Sequence, residues 1–419
     1  MPTPRSTPDV DAVVVVDWSA SSRPARAGGG PDGIWAAVAA TGRDDHVRSF
    51  RTRADATGWL VDHLIELADA GHRVLCGFDL PLGYPTGTAA ALGAPREAVP
   101  WRWLWRHLDR IVVDGVRNRN NRFEVASDAN ARMSGRAGPF WGVPQTRSLA
   151  HLAPGRVPFP FTLANGEPIA EHRATELAVR DVGGAARSVW QLLGAGAVGS
   201  QALLGIPHVH RIRHAPSLAG RCAVWPFETG FALAGAPAVV LVEVSVSLLD
   251  VDPTLHPVRE AAQVLGMVDG YRQMAAAGEL ASAFDPPDVD EATLRAASTE
   301  EGWILPVRRE VTGPSPWSQG VLLPPTAAPA HGERFEELVH RRGVVVEQIV
   351  SSSSPDTSEQ IQDHDEWVLL LDGAATLEVA GVPLDLAAGQ WVVLPARTPH
   401  RVVSTAAGTR WLAVHVHSR

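Results

Sequence analysis

Two apolar segments of the chain each end on an aspartate that is followed by a turn. Asp17 ends the run VVVVD at residues 13–17, and Asp79 ends the run VLCGFD at residues 74–79. Such apolar runs are typical of strands that are buried on both faces. A carboxylate is costly to bury without a partner, and two carboxylates that lie side by side repel each other. If the two strands are neighbours, Asp17 and Asp79 are candidate ligands of Mg²⁺ or Mn²⁺, which carboxylate oxygens suit.

The segments between these aspartates predict that the two strands are neighbours. Residues 33–39 and 46–51 have the composition and alternation of strands, and residues 59–68 have a helical period that Gly71 ends. The predicted order is strand, strand, strand, helix, strand. Short turns make the first three strands an antiparallel meander, and the helix lets the fourth strand run parallel to the first.

This order, with an aspartate on the first and fourth strands, resembles the ribonuclease-H-like fold. The segments VVVVDWSASS (13–22), GFDLPLGYP (77–85), WPFETG (225–230) and EGWIL (301–305) resemble an uncharacterised bacterial family that is classed as predicted ribonuclease-H-like nucleases. The resemblance covers roughly residues 10–308. It implies a two-metal site that hydrolyses phosphodiester bonds, with further acids on the helix after the third strand and on a late helix.

Several residues could supply those further acids. Glu243 is the one acid inside the apolar run at residues 238–244, and Glu260 lies on a predicted helix that begins near Pro257. Glu66, on the first helix, is another candidate. The acids also have structural interpretations: Asp17 and Asp79 could form turns or helix caps, and Glu260 could complement a helix dipole at the surface.

The long segment between the fourth and fifth strands, at about residues 86–233, is predicted to be a helical insertion. It contains arginines at helical spacing, with tryptophans on another face, and further arginines downstream. The candidate substrate-binding residues are Arg102, Arg106, Arg110 and Arg122. Arginines with interleaved aromatics could bind a phosphate backbone and stack bases. The alternative is an amphipathic helix with core tryptophans and solvated arginines. A later segment with His208, His210 and His214 alternates like a strand, and we expect surface or paired histidines there rather than a zinc site.

Length and composition limit the classes of protein. A chain of 419 residues is long enough for two or three domains, and its net charge of −9 means that any nucleic-acid site must be a local basic patch. All 37 basic residues are arginine, which excludes Schiff-base lysines and a Walker A loop. Cys76 and Cys222 lie in apolar segments, and no apolar run approaches the length of a membrane span. We therefore expect a cytoplasmic protein without a membrane partner.

A different kind of sequence follows a Pro-rich linker and lead-in at residues 309–333. Short apolar strands at residues 343–350, 366–371, 375–379, 391–394 and 411–415 are separated by turns, which predicts a small all-β barrel. Residues 318–419 resemble a cupin: Glu366 and Gly373 match the end of the first cupin motif, and residues 389–400 match the second. The cupin domain is predicted at residues 334–419.

The cupin resemblance also implies a site. Metal-binding cupins have two histidines before the glutamate, and Gln360 and Gln362 occupy those positions here, whereas Glu366 and His400 are retained. Two good ligands rarely hold a transition metal tightly, although glutamine can ligate weakly through its carbonyl oxygen. The alternatives are a metal-free barrel that binds a small molecule or forms a homodimer, a non-catalytic regulatory protein, and a cupin metalloenzyme that uses Glu366 and His400.

Overall fold

The structure, a computed structural model, describes residues 10–30, 33–182, 184–185, 187–194, 197–233, 235–248, 252–306, 321–341, 344–362 and 364–416. The chain divides into two compact units, Met1–Glu310 and Val311–Arg419. Residues 309–320 of the predicted linker and lead-in lie outside the described residues. Within the described part of the chain, no helix is both long and apolar enough to cross a bilayer.

The first unit is built on a mixed sheet. The strands of this unit are β1 (Ala12–Asp17), β2 (Ile34–Ala40), β3 (His46–Phe50), β4 (Val74–Asp79), β5 (Phe161–Thr162), β6 (Pro168–Ile169), β7 (Cys222–Val224), β8 (Val239–Val244) and β9 (Ile304–Leu305). The main sheet has the order β3-β2-β1-β4-β8-β7, with β9 also paired to β8, and β5 and β6 form a separate small sheet. Strands β1 to β3 are antiparallel neighbours, whereas β4 runs parallel to β1. The predicted order of the first four strands is confirmed.

Helices cover both faces of this sheet. They are α1 (Arg53–Asp69), α2 (Thr88–Ala91), α3 (Pro100–Ile111), α4 (Arg122–Ser134), α5 (Ala174–Asp181), α6 (Val198–Arg213), α7 (Arg259–Ala277) and α8 (Glu291–Ala296), which a π-helical turn at Ala297–Glu301 follows. Val14 and Val16 of β1 belong to one apolar cluster, with residues of α1, α3 and α6. Val13 and Val15 belong to a second cluster, with residues of α7. The strand is apolar throughout because both of its faces are buried.

The insertion differs from its prediction in two places. Strand β7 lies near its end and pairs with β8, so the last part of the insertion belongs to the main sheet. The segment with His208 and His210 belongs to helix α6, so the prediction of a strand there was wrong. Because α6 is buried over most of its surface, its apolar residues do not show the period of a one-sided helix.

The second unit is a small all-β domain, as predicted. Its strands are β10 (Glu333–Arg341), β11 (Val344–Ser351), β12 (Asp365–Asp372), β13 (Ala374–Val379), β14 (Val382–Ala387), β15 (Trp391–Leu394), β16 (His400–Thr405) and β17 (Thr409–Val416). They form two antiparallel sheets, β10-β11-β17-β12-β15 and β14-β13-β16, whose inner residues share one apolar cluster. The lead-in is joined to this domain, because the side-chain amide of Gln348 exchanges hydrogen bonds with the backbone of Leu323 at 2.7 and 2.9 Å.

Candidate functional site

Asp17 and Asp79 lie side by side at one edge of the main sheet. They are register partners at the carboxyl ends of the parallel strands β1 and β4, and both are half-buried. Neighbouring strands are about 4.8 Å apart, so the two carboxyl groups are close enough to interact strongly. The adjacency predicted from the strand order is therefore confirmed.

The two other predicted acids lie close to this pair. Burial, followed by the charges of Asp79 and Glu260, raises the pKa of Asp17 well above its ordinary value. Burial raises the pKa of Asp79 to about 7; the charge of Glu243 adds to this, and a hydrogen bond from the backbone of Val246 opposes it. Glu260 is half-buried in the first turn of α7, and Glu243 is buried on β8. The fold thus brings together four acids that are far apart in the sequence.

Glu66, the remaining candidate acid, lies elsewhere. Its carboxylate accepts a hydrogen bond from Arg43 at 2.6 Å and lies 3.3 Å from His63. Its side chain is more than half exposed. No contact joins it to the acids of the sheet edge within the described residues, so Glu66 is a surface ion-pair residue of α1.

Glu243 has a partner that the sequence did not reveal. Arg173 donates hydrogen bonds to both of its carboxylate oxygens, at 2.8 and 2.6 Å, and the backbone N–H of Leu82 donates to it at 2.9 Å. Arg173 and Glu243 are both buried. Because Leu82 belongs to the loop that follows Asp79, Glu243 fixes that loop while its own charge is neutralised. No local sequence pattern identifies Arg173 as this partner.

The chemistry of Asp17 and Asp79 fits a small divalent cation. Within the described residues, no three histidine, cysteine, aspartate or glutamate side chains are grouped so as to enclose a metal. Mg²⁺ does not need such a cage, because it is commonly held by one or two carboxylates and keeps water or substrate phosphates as its other ligands. The main causes of the raised pKa values of Asp17 and Asp79 include no cationic side chain among the described residues that would lower them. A divalent cation would relieve their repulsion.

Two arginines hold the loop that follows Asp17. Arg53 is buried and donates to the carbonyl oxygens of Ser19 and Ser21, each at 2.9 Å. Arg122, a predicted substrate-binding residue, donates to the Ser22 hydroxyl at 2.8 Å and to the Ser200 hydroxyl at 2.9 Å. Arg122 therefore has a structural role, because it ties the loop after Asp17 to helix α6.

The other predicted substrate-binding arginines lie on the outer face of α3. Trp101 and Trp105 of this helix are buried in the core, as the amphipathic interpretation expects. The guanidinium of Arg102 lies 3.7 Å from the carboxylate of Glu228. Arg106 and Arg110 are exposed, and within the described part of the chain neither forms an ion pair or a hydrogen bond. The basic patch thus separates into structural arginines and two arginines that are open to a ligand.

The second unit contains a cavity of about 510 Å³. The four residues predicted from the cupin motifs, Gln360, Gln362, Glu366 and His400, all line it. Its other lining residues, which the motifs did not predict, include Glu347, Trp411 and His415. Strand β17 carries His415 and Trp411 into the cavity at alternate positions. That alternation was the one signal in the sequence that could have identified them.

Gln360 and Gln362, at the positions where metal-binding cupins have histidines, form hydrogen bonds with neighbouring side chains in this cavity. The Gln362 amide donates to the Glu366 carboxylate at 2.9 Å, and the His400 ring lies 3.8 Å from the same carboxylate oxygen. The amide of Gln360 donates to the Ser358 hydroxyl at 3.0 Å. In this arrangement the amide of Gln362 occupies a carboxylate oxygen that a metal ion would otherwise use.

Comparisons with known proteins concern this second unit. Residues 350–415 match the family model described as cupin domain. A protein from Ralstonia eutropha, described as a candidate mannose-6-phosphate isomerase, is 34% identical over 24% of this chain and 100% of its own, with a TM-score of 0.22. An RmlC-like cupin from Shewanella frigidimarina is 16% identical over 21% of this chain and 78% of its own, with a TM-score of 0.19. No curated protein matches the chain. The match of the family model to its two-sheet C-terminal unit shows that the chain contains a cupin domain.

Proposed function

We propose that the N-terminal unit is a metal-dependent phosphodiesterase of the ribonuclease-H-like type that acts on nucleic acid. The observation that carries this proposal is the register of Asp17 and Asp79 at the carboxyl ends of two neighbouring parallel strands. The antiparallel order of β1 to β3 and the parallel return of β4 agree with the fold that the resemblance implies. The approach of Glu260 to Asp17 gives further support, because it adds a third carboxylate to the same edge.

The acids would have different roles in this reaction. A bound divalent cation supplies an activated water and neutralises charge on the leaving oxygen. Asp17 and Asp79 would hold Mg²⁺ or Mn²⁺, and Glu260, whose charge acts on Asp17, would serve as a base for water. Glu243 would act through the hydrogen bond that it accepts from the backbone N–H of Leu82, since this bond fixes the loop after Asp79. It is a positioning residue in this proposal.

Cleavage assays test the proposal. The full chain is incubated with single-stranded, duplex and hybrid substrates in Mn²⁺, in Mg²⁺ and in a chelator, beside Asp17→Asn and Asp79→Asn. Asp62→Asn is the control because Asp62 is an exposed residue of α1. We expect metal-dependent cleavage that both site variants lose and the control retains. No cleavage of any substrate, or cleavage that survives Asp17→Asn, would show that the proposal is wrong.

We also propose that the cupin domain binds a small polar molecule. Its cavity of about 510 Å³ has the volume of a small-ligand site, and it combines Glu366, His400 and His415 with the ring of Trp411. A thermal-shift screen of sugars, amines and carboxylic acids with the full chain tests this. We expect a ligand that raises the midpoint of the wild-type protein but not that of His400→Ala. A screen in which no compound separates the two proteins would contradict the proposal.

A further inference from the structure

A pocket on the surface of the insertion is lined by residues that have no role in the acid site. Its volume is about 290 Å³, and it lies where α3 meets the second half of α6. We call it the α3 pocket. It is lined by Trp103, Arg106, His107, Asp109, Arg110 and His210.

The α3 pocket is positively charged in a protein whose net charge is −9. Arg106 and Arg110 are exposed and lie one helical turn apart, so their guanidinium groups are neighbours. Among the described residues neither is paired, whereas the carboxylate of Asp109 accepts a hydrogen bond from Arg211 at 2.8 Å. The two free cations of the pocket are therefore not cancelled by its one acid.

Two residues that line the pocket each have an imidazole nitrogen without a hydrogen-bond partner among the described residues. These nitrogens are the buried atoms Nδ1 of His107 and Nε2 of His210. Burial, then the charges of Arg132 and Arg110, lowers the pKa of His107, and burial together with His214 and nearby arginines lowers the pKa of His210 to about 4. Burial and the neighbouring arginines disfavour the protonated form of both rings, so the positive charge of the pocket comes from Arg106 and Arg110. An anionic ligand would pair with that charge.

An aromatic ring completes the pocket. Trp103 is half-buried and stacks on His107, with ring centroids 4.7 Å apart and planes 10° apart. Helix α3 is joined to the acid site, because the indole N–H of Trp105 donates to the carbonyl oxygen of Leu82 at 2.9 Å. Helix α3 thus lines the pocket and also supports the loop after Asp79.

We propose that the α3 pocket binds a nucleotide, with Arg106 and Arg110 on its phosphate and Trp103 stacked on its base. The inference rests on the proposed nuclease function for the choice of a nucleotide over other anions. The phosphate could belong to a free mononucleotide or to a single strand. Both would make the same contacts: charge-assisted hydrogen bonds from guanidinium groups and stacking on an indole.

Binding rather than cleavage tests this inference. A fluorescent deoxythymidine oligonucleotide and a fluorescent mononucleotide are titrated into the full-length Asp17→Asn protein, in a chelator, over a series of salt concentrations. We expect Arg106→Ala/Arg110→Ala to weaken oligonucleotide binding at least about tenfold. Loss of two phosphate contacts should reduce the slope of log affinity against log salt by about 1.4. Trp103→Ala should weaken binding about tenfold and leave the slope unchanged.

The control variant is Arg295→Ala/Arg334→Ala, which removes the same charge at two exposed positions. Circular dichroism checks that every variant is folded. Mononucleotide binding that needs Arg106 and Arg110 would assign a free nucleotide, and binding of the oligonucleotide alone would assign a strand. The inference is overturned if the pocket variant binds like the wild type, if the control weakens binding equally, or if neither probe binds. Because the binding experiment contains no metal and measures no cleavage, it can fail or succeed independently of the nuclease assay.

Discussion

Arg173 binds Glu243 through both carboxylate oxygens, although the two residues are 70 positions apart in the chain. The same guanidinium donates to Glu176 at 2.7 and 2.5 Å and to the carbonyl oxygen of Glu301 at 2.7 Å. One buried cation therefore joins β8, the start of α5 and the turn before β9. These are the elements that surround the loop after Asp79.

Replacing this cation should destabilise the first unit strongly. Arg173→Met leaves the buried carboxylates of Glu176 and Glu243 without their partner, and breaking such a pair costs about 3–5 kcal/mol. Urea unfolding of the full chain, followed by tryptophan fluorescence, measures the loss. The control is Arg295→Met, which removes an exposed pair with Glu291 and should change stability by at most about 1 kcal/mol. Equal stability of the two variants would contradict the structural role of Arg173.

The raised pKa of Asp79 predicts how stability depends on pH. Its value of about 7 in the folded protein lies above the ordinary 3.8, so between these values the folded state keeps a proton that the unfolded state releases. This contribution to stability is complete below about pH 4 and is lost as the pH rises through about 7. Asp79→Asn should therefore flatten the decline of the melting temperature over that interval. Glu176, whose pKa is also raised to about 7, remains in both proteins and cancels in the comparison.

The same titration predicts the effect of metal. A divalent cation binds the ionised carboxylates of Asp17 and Asp79, so it competes with their protons. We expect Mn²⁺ to raise the melting temperature of the wild-type protein more at about pH 8 than at about pH 5.5, and not to raise that of Asp79→Asn. A thermal shift that is independent of pH, or equal in the variant, would rule out this pair as the ligand.

Gly83 should not tolerate a side chain. A Cβ at this position would collide with the backbone carbonyl oxygens of Glu300 and Glu301, so the loop after Asp79 would have to move. Gly83→Ala should cost about 1–3 kcal/mol and reduce any activity of the site. Gly58→Ala is the matched control, because Gly58 is exposed in α1 with open space around it and alanine there should stabilise by about 0.5–1 kcal/mol. Thermal melts of both variants measure this difference. A Gly83→Ala protein that is as stable as Gly58→Ala would contradict the steric explanation.

The cupin cavity offers a gain-of-function prediction. Gln360→His/Gln362→His adds two imidazoles beside Glu366 and His400, which gives four ligands of the type that transition metals prefer. After dialysis against Ni²⁺ or Mn²⁺, metal analysis should find about one ion per chain in this variant and much less in the wild type. Adding Glu366→Ala to the variant should remove the ion again. Metal content that is the same in all three proteins would show that the cavity geometry, rather than the glutamines, prevents binding.

The sequence by itself determined the first four strands, the adjacency of Asp17 and Asp79 and the small β domain. These features depend on local signals: continuous apolar runs mark strands buried on both faces, and short turns join neighbouring strands. Once the strand order is known, the ends of parallel strands must meet at one edge of the sheet. Glu366 and His400 were predicted from the resemblance to the cupin motifs, and they line the same cavity from strands of two different sheets.

Only the tertiary structure decided which polar groups are free and which are paired. Glu243 is neutralised by Arg173, Arg122 holds the loop after Asp17, and Arg106 is left open. Side-chain pairs between distant parts of the chain leave no periodic pattern in the sequence, because they depend on how helices pack rather than on local propensity. Helix α6 was not predicted for a related reason: it is buried on most sides, so its apolar residues do not show the helical period of a one-sided helix. Local apolar patterns thus determined the strands of the sheet, whereas long-range packing determined which charged side chains are paired and which are free.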